Sequence, residues 1–201
     1  MQNQTGRSMI EMLGVLAIIG VLSVGGIAGF SKAMRQYKML QLVDEYRLFI
    51  QDYLRYNDDL KRVEKWADIP KILQNAQLLP KDWYIGGGYV YDSMGNRNQL
   101  FMRGGVRPVI DFWFKNDGDI DAKKELCQKM FVDVALVYQD LLYAVWVYRG
   151  EEAGNVGQAW GSAHCTNNRM CLRDMKLSDI LNFCASCIDD TRCKLVFEFN
   201  S

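Results

Sequence analysis

Histidine and proline are scarce in this chain, and neither sign of charge is in excess. Its 201 residues include one His and three Pro, and 24 Lys and Arg balance 24 Asp and Glu. With His164 alone, little histidine-based catalysis or metal chemistry is available. The charge is balanced and the sequence has no basic block, which is the usual signature of a nucleic-acid-binding protein. We therefore expect no catalytic residues, no metal, no cofactor and no nucleic-acid partner, and we do not expect an enzyme.

One segment lacks charge altogether. Residues 12–30 contain no charged residue and no proline, and these 19 residues rise about 28 Å as an α-helix, roughly the hydrocarbon core of a bilayer. A secretory signal peptide needs a basic segment before a shorter apolar run. Because residues 1–6 contain no Lys or Arg, we expect a retained membrane helix.

Glu11 stands directly before the uncharged run. At the lipid edge a lone carboxylate is tolerated at modest cost, but deeper in an apolar interior it costs several kcal/mol unless it is paired. Glu11 is therefore either an interface residue or a functional one. The local alternative is a pair with Arg7, four positions earlier, which contributes only tenths of a kcal/mol on an exposed helix.

The string GRSMIE, from Gly6 to Glu11, and the following MLGVLAIIGVLS resemble the start of type IV prepilins and type II secretion pseudopilins. In that family a short leader ends in Gly, and a Glu is the fifth residue of the mature chain. Counting from Arg7 puts Glu11 at that position. The resemblance implies that residues 1–6 are a leader, residues 7–30 a transmembrane and assembly helix, and residues 31–201 a pilin-like globular domain.

The resemblance also implies a function, partners and a location. A prepilin peptidase would cut between Gly6 and Arg7 and methylate the new amine. The subunit would wait in the bacterial inner membrane, in contact with lipid and the assembly platform, and then join copies of itself in an extracellular pilus or a periplasmic pseudopilus. In that filament Glu11 would neutralise the amine of a neighbouring subunit and fix the axial register, because an unpaired charge there is penalised.

Two other classes of protein remain open. One is a signal-anchored periplasmic protein, an enzyme or a redox or zinc module, with an uncleaved helix. The other is a zinc protein that faces the cytoplasm, because Lys32, Arg35 and Lys38 follow the apolar run and the positive-inside rule favours a cytoplasmic C-terminus.

Beyond the apolar run the pattern stays helical. Apolar residues recur at alternating spacings of three and four, at Met39, Leu42, Tyr46, Phe49, Tyr53, Tyr56, Leu60 and Val63. This stripe, widened by neighbouring apolar residues, is typical of a helix that lies on a sheet. We predict one helix from about residue 7 to about residue 65, with a coiled-coil dimer as the alternative use of the stripe.

The remaining chain predicts an antiparallel sheet with two more helices. The predicted strands are residues 89–92, 99–102, 109–114, 143–148 and 195–199, the first two forming a hairpin around Gly95 and Asn96. The predicted helices are residues 71–79 and 120–134, the second carrying Cys127. The fold class is therefore α+β, with a long N-terminal helix packed on an antiparallel sheet, and this layout resembles type IVb pilins.

Six cysteines, five of them within 29 residues, indicate an oxidising compartment and a disulfide-linked C-terminal region. The resemblance to type IVb pilins implies the pair Cys127–Cys193. The other four, Cys165, Cys171, Cys184 and Cys187, would then pair among themselves in an order that the sequence leaves open.

Zinc is the competing use of these cysteines. His164 and the four cysteines from Cys165 to Cys187 offer enough ligands, but only Cys184 and Cys187 have the spacing that zinc sites favour. We therefore expect disulfides rather than a zinc site.

Overall fold

A computed structural model describes residues 9–115, 118–149, 155–186 and 193–201. The chain divides into two compact units, Met1–Leu40 and Gln41–Ser201. Helix α1, Met9–Arg55, runs through both units. The second unit carries the sheet, so the fold is the α+β arrangement that the sequence predicts.

The end of α1 differs from the prediction. The helix stops at Arg55 rather than near residue 65, and a separate turn of helix, α2 (Asn57–Leu60), follows after a break at Tyr56. The break coincides with Asn57, Asp58 and Asp59. Side chains of these types compete for backbone hydrogen bonds and favour caps and turns over helix interiors.

Within the second unit, α1 buries the predicted stripe against the sheet. Leu42, Tyr46, Phe49 and Tyr53 are each at most 1% exposed, and the Tyr46 ring lies 5.4 Å from the ring of Phe112 on the sheet. The stripe is therefore filled by the chain's own strands, which contradicts the alternative of a coiled-coil dimer for these positions. Tyr56, the next predicted member, is 39% exposed because the helix has already ended.

The described residues form one antiparallel sheet of seven strands, in the order β1-β2-β3-β4-β7-β5-β6. The strands are β1 (Tyr84–Gly86), β2 (Tyr89–Tyr91), β3 (Arg97–Arg103), β4 (Arg107–Trp113), β5 (Leu142–Arg149), β6 (Asn155–Trp160) and β7 (Cys193–Phe199). All five predicted strands are confirmed, as is the hairpin, where Gly95 adopts a φ of 84°. The edge strands β1 and β6 were not predicted.

Strand pairing assigns the side chains to two faces. Phe112 pairs with Asn98 and Leu195, and these side chains share the face that contacts α1, which we call the inner sheet face. The opposite face, the outer sheet face, carries aromatic and charged residues around a buried aliphatic centre formed by Val109, Ala144 and Val196. Its members include Tyr89, Arg97, Gln99, Phe101, Arg103, Arg107, Asp111, Trp113, Trp146, Tyr148, Lys194 and Glu198.

Three further α-helices lie among the described residues of this unit. Helix α3 (Ile69–Asn75) has Pro70 in its first turn and ends at Asn75 rather than at the predicted residue 79. Helix α4 (Ile120–Met130) continues into a π-helical turn at Phe131–Ala135. Helix α5 is Leu177–Ala185. Its Phe183 ring lies beside Gly157, whose β5 partner Val147 pairs with Leu195, so α5 packs on the inner sheet face.

Candidate functional site: the N-terminal helix and the polar contacts of the sheet domain

The first unit contains an apolar helix whose described side chains are exposed. Every described side chain from residue 11 to residue 34 is exposed, and the large apolar ones among residues 12–30 are 53% to 75% exposed. The most apolar window of this helix has a mean hydropathy of 2.3 and none of it is buried. By length and composition it can cross a membrane, a test that signal sequences near an N-terminus also pass.

Five glycines give this helix a surface that another helix can approach. A Cβ added at Gly14, Gly20, Gly25, Gly26 or Gly29 would meet nothing within 4 Å. Small residues allow the backbones of apolar helices to come close together, which strengthens van der Waals packing.

Glu11 lies exposed in the first turn of α1. A negative charge there interacts favourably with the helix macrodipole, because the first turn carries partial positive charge. The predicted cleavage site, Gly6 and Arg7, lies outside the described residues, so processing at that peptide bond stays a prediction.

The predicted disulfide Cys127–Cys193 is wrong. Cys127 on α4 is bonded to Cys184 on α5, with a Cα–Cα distance of 5.7 Å. The two helices lie side by side, and the ring of Phe131 approaches that of Phe183 to 5.8 Å. This packing brings together cysteines 57 positions apart in sequence, whereas Cys193 is the first residue of β7, an interior strand of the sheet.

The second disulfide joins Cys165 and Cys171 across a short loop. Cys193 is also disulfide-bonded, and Cys187 lies outside the described residues. Cys165, Cys171 and the nearby Asp174 have the spacing of a metal cluster. Zinc coordination requires thiolates, and both sulfurs are joined to each other here, so this form of the protein offers no such site at these three residues.

His164 is committed to a structural contact. Its Nε2 lies 2.8 Å from Asn200 Oδ1, and its ring packs 4.4 Å from that of Tyr143. The histidine that a zinc site would need is therefore bonded to Asn200, the residue after β7, and the two nearest cysteines form a disulfide.

A buried polar cluster joins α1 to the sheet, and the sequence did not reveal it. The Tyr46 hydroxyl lies 3.0 Å from Asp92 Oδ2 and 2.8 Å from Asn98 Oδ1. One hydroxyl proton cannot serve both acceptors, and Asn98 Nδ2 is buried without a described partner. Exchanging the amide N and O of Asn98 removes the conflict at the hydroxyl: Asn98 then donates to the hydroxyl, and the hydroxyl donates to Asp92.

Asp92 also organises the hairpin turn. Its Oδ1 accepts hydrogen bonds from the backbone N–H groups of Met94 and Asn96, each at 2.9 Å. Burial raises the pKa of Asp92 to about 6, although hydrogen bonds from Asn96 and Tyr46 act in the opposite direction. The sequence signal for this role was an Asp three positions before the Gly-Asn pair, at the start of the turn, where Asp commonly caps the backbone.

The outer sheet face holds two buried carboxylates under cationic side chains. Glu198 is 1% exposed and pairs with Arg103 at 2.6 Å and Arg107 at 2.5 Å. Asp111 pairs with Lys194 at 2.6 Å. Burial raises the pKa of both carboxyl groups, and the neighbouring cations act in the opposite direction.

Cations and aromatic rings interleave across the same face. The Arg97 guanidinium carbon lies 4.6 Å from the ring centroids of both Tyr89 and Trp113. Lys194 Nζ lies 4.6 Å from the Trp113 ring and 4.9 Å from the Tyr148 ring. The period-two alternation of Arg97, Gln99, Phe101 and Arg103 in β3 was the available sequence signal for this surface.

No protein-family model, no curated protein and no solved structure matches this chain. Fold and contacts therefore define the class: an α+β protein with a long, apolar N-terminal helix, an antiparallel sheet and a disulfide-linked C-terminal region. This arrangement is compatible with a pilin-like fold.

Proposed function

We propose that this protein is a structural subunit of a type IV pilus or a related filament. The observation that carries the proposal is the apolar part of α1: residues 12–30 are uncharged, their side chains are exposed, and Glu11 directly precedes them. The two other supports are the sheet domain, which takes up the later part of the same helix, and the disulfides.

The apolar helix exposes a large apolar surface among the described residues, and such a surface needs cover. Large apolar surfaces exposed in this way mark contacts with a membrane or with other proteins. Lipid covers the helix before assembly in this proposal, and the helices of other copies cover it afterwards. The glycines suit the second state, because they allow close approach between helices.

Glu11 specifies the register in the assembled state. Cleavage between Gly6 and Arg7 creates an α-amine, and in the filament the Glu11 carboxylate of one subunit meets the amine of the next. In a water-free bundle either charge alone is strongly unfavourable, so the subunits align where the two charges meet. The prepilin peptidase and the inner-membrane assembly platform are the other partners of this pathway.

The disulfides fit a domain that works outside the cytoplasm. Disulfides persist in oxidising compartments and are rare in the cytosol. The sheet domain would then face the periplasm before assembly and form the outer surface of the filament afterwards.

The test of the proposal is the intact mass and N-terminal sequence of the protein from membrane and sheared-surface fractions. We expect a chain that starts at Arg7, carries a methylated amine and has lost one hydrogen for each disulfide-bonded cysteine. An uncut chain with disulfides would instead identify a signal-anchored periplasmic protein. An uncut chain with free thiols would place the domain in a reducing compartment, and either result contradicts the proposal.

Glu11→Ala separates assembly from processing. We expect normal membrane insertion and cleavage but loss of the protein from sheared filaments, because the new amine loses its counter-charge. Asp44→Ala is the matched control, since Asp44 is an exposed acid on the same helix with a surface partner, Arg47, at 3.3 Å. Filaments that form normally with Glu11→Ala would refute the assigned role of Glu11.

A further inference from the structure

The outer sheet face has the composition of a ligand surface rather than that of a solvated sheet. Aromatic and cationic side chains occupy it from β2 to β5, and most of them are half-buried. Helices α1 and α5 pack on the other face. Because single exposed apolar residues are common but a continuous aromatic array is not, the array calls for a function.

Three rings on this surface, those of Tyr89, Trp113 and Tyr148, already have a cationic group over a face. Arg97 lies between Tyr89 and Trp113, and Lys194 lies over Trp113 and Tyr148. The faces of aromatic rings are the negative part of their quadrupole, and the edges are positive. Because cations lie over the faces of these rings, a ligand would contact the positive ring edges and the guanidinium and ammonium groups.

The outer sheet face carries more cations than carboxylates. Its cations are Arg97, Arg103, Arg107 and Lys194, and its carboxylates are Asp111 and Glu198. Both carboxylates are less than 5% exposed, whereas the side chains of Arg103 and Arg107 are 35% and 31% exposed. Within the described ranges no carboxylate pairs with Arg97. The accessible part of this surface is therefore positive.

A cavity of about 430 Å³ opens beside this surface, at the edge of β3. Its lining includes Trp66, Phe101, Gln99, Lys61 and Glu64. The formal charges of Lys61 and Glu64 cancel, although Lys61 Nζ also lies 2.9 Å from Asp58 Oδ1. The rest of the lining consists of two aromatic rings, an amide, three aliphatic side chains and a glycine. This chemistry suits an uncharged, hydroxyl-bearing ring, and the volume is in the range of small-ligand sites.

We propose that the outer sheet face binds an anionic polysaccharide, with one sugar ring in the cavity between Trp66 and Phe101 and acidic groups on Arg97 and Arg103. These two arginines lie on one face of β3, roughly 20 Å apart along the strand, on either side of Gln99 and Phe101. Positive charge at intervals, separated by an amide and rings, matches a polymer of sugar rings with intermittent acidic groups. The inference concerns the sheet domain alone and does not depend on filament assembly.

Nucleic acid fits this surface less well. Single-stranded nucleic acids bind by stacking bases on open ring faces and by neutralising one phosphate for each nucleotide. Here cations already cover the ring faces, and the excess of positive charge is small. The same argument favours sugar rings, which need hydroxyl partners and few charges.

The experiment measures binding of the full chain in detergent micelles to four probes: heparin, polygalacturonate, neutral dextran and a single-stranded oligothymidylate. We expect both anionic polysaccharides to bind, with affinity that falls as salt rises from about 50 mM to about 500 mM. Absence of binding to both would overturn the proposal. Tighter binding of the oligonucleotide than of either polysaccharide would also overturn it, in favour of a nucleic-acid surface.

Arg97→Gln tests the surface without breaking a buried ion pair, because rings rather than a carboxylate hold Arg97. We expect about a tenfold weaker affinity for both anionic polysaccharides with this variant, and recovery to within about twofold with Arg97→Lys. The control carries Arg55→Gln and Lys124→Gln, which remove two cations from helices α1 and α4. If the control weakens binding as much as Arg97→Gln, the binding is unspecific and the proposal fails.

Discussion

The buried contact between Tyr46 and Asp92 gives the sharpest test of how the sheet holds α1. Tyr46→Phe removes the hydroxyl and keeps the ring, so it leaves no cavity beyond one oxygen atom. The change deprives a buried carboxylate of a donor at 3.0 Å. A hydrogen bond to a charged group contributes about 1.5–3 kcal/mol, so we expect the free energy of unfolding to fall by about 2–3 kcal/mol.

Tyr53→Phe is the matched control on the same helix. Tyr53 is as deeply buried as Tyr46, but its hydroxyl meets the backbone carbonyls of Phe101 and Val109 at 3.3 and 3.4 Å. These distances lie beyond the usual range and the acceptors are neutral, so we expect a loss of only about 0.5–1 kcal/mol.

The assay is urea unfolding of the full chain in detergent micelles, followed by tryptophan fluorescence. Trp83, whose ring lies 4.8 Å from that of Tyr46, reports directly on this region. A Tyr46→Phe variant that is no less stable than Tyr53→Phe would refute the reasoning. A second check uses the Asp92→Asn background, where the effect of Tyr46→Phe should shrink because the acceptor is no longer charged.

Two further predictions concern the same domain. Burial raises the pKa of Asp92 from 3.8 to about 6, so the folded state binds more protons than the unfolded state between these values, and stability falls as pH rises through that window. The free energy of unfolding falls by about 3 kcal/mol through Asp92 as the pH rises across this window. Burial also raises the pKa of Asp111 and of Glu198, so these groups act in the same direction. The Asp92→Asn variant should therefore show a flatter dependence of the urea midpoint on pH. A profile that rises with pH and is unaffected by this substitution would contradict the assignment. Replacing both cysteines of Cys127–Cys184 by serine should lower the free energy of unfolding by about 4 kcal/mol, against about 2 kcal/mol for Cys165–Cys171, because the first pair closes a much longer loop. Equal losses in the two double variants would show that chain entropy does not explain the difference.

Local patterns were sufficient for most elements of the fold. The stripe from Leu42 to Tyr53 specified a helix buried along one side, and the hairpin around Gly95 followed from turn chemistry. Short runs such as residues 143–148 read as strands because they are rich in β-branched and aromatic residues. The three-residue strand β1 was too short for any period to show, and β6 carries Gly157 and few β-branched residues.

Some features of the candidate site could likewise be predicted from the sequence, and others could not. The uncharged run and Glu11 are contiguous in sequence, so the apolar helix and its acidic first turn could be predicted without a structure. The disulfide pairing could not, because it depends on which helices are neighbours: α4 and α5 lie together and bond Cys127 to Cys184, while β7 lies in the middle of the sheet.

The sequence by itself determined the properties that arise within one segment: the apolarity of the N-terminal helix, the buried side of its later half and the turn at Gly95. Only the tertiary structure decided the contacts between distant segments. Tyr46 reaches Asp92 across 46 positions because α1 packs on the inner sheet face. Glu198 meets Arg103 across 95 positions because the last strand inserts between β4 and β5. Such contacts depend on strand order, which no local periodicity encodes.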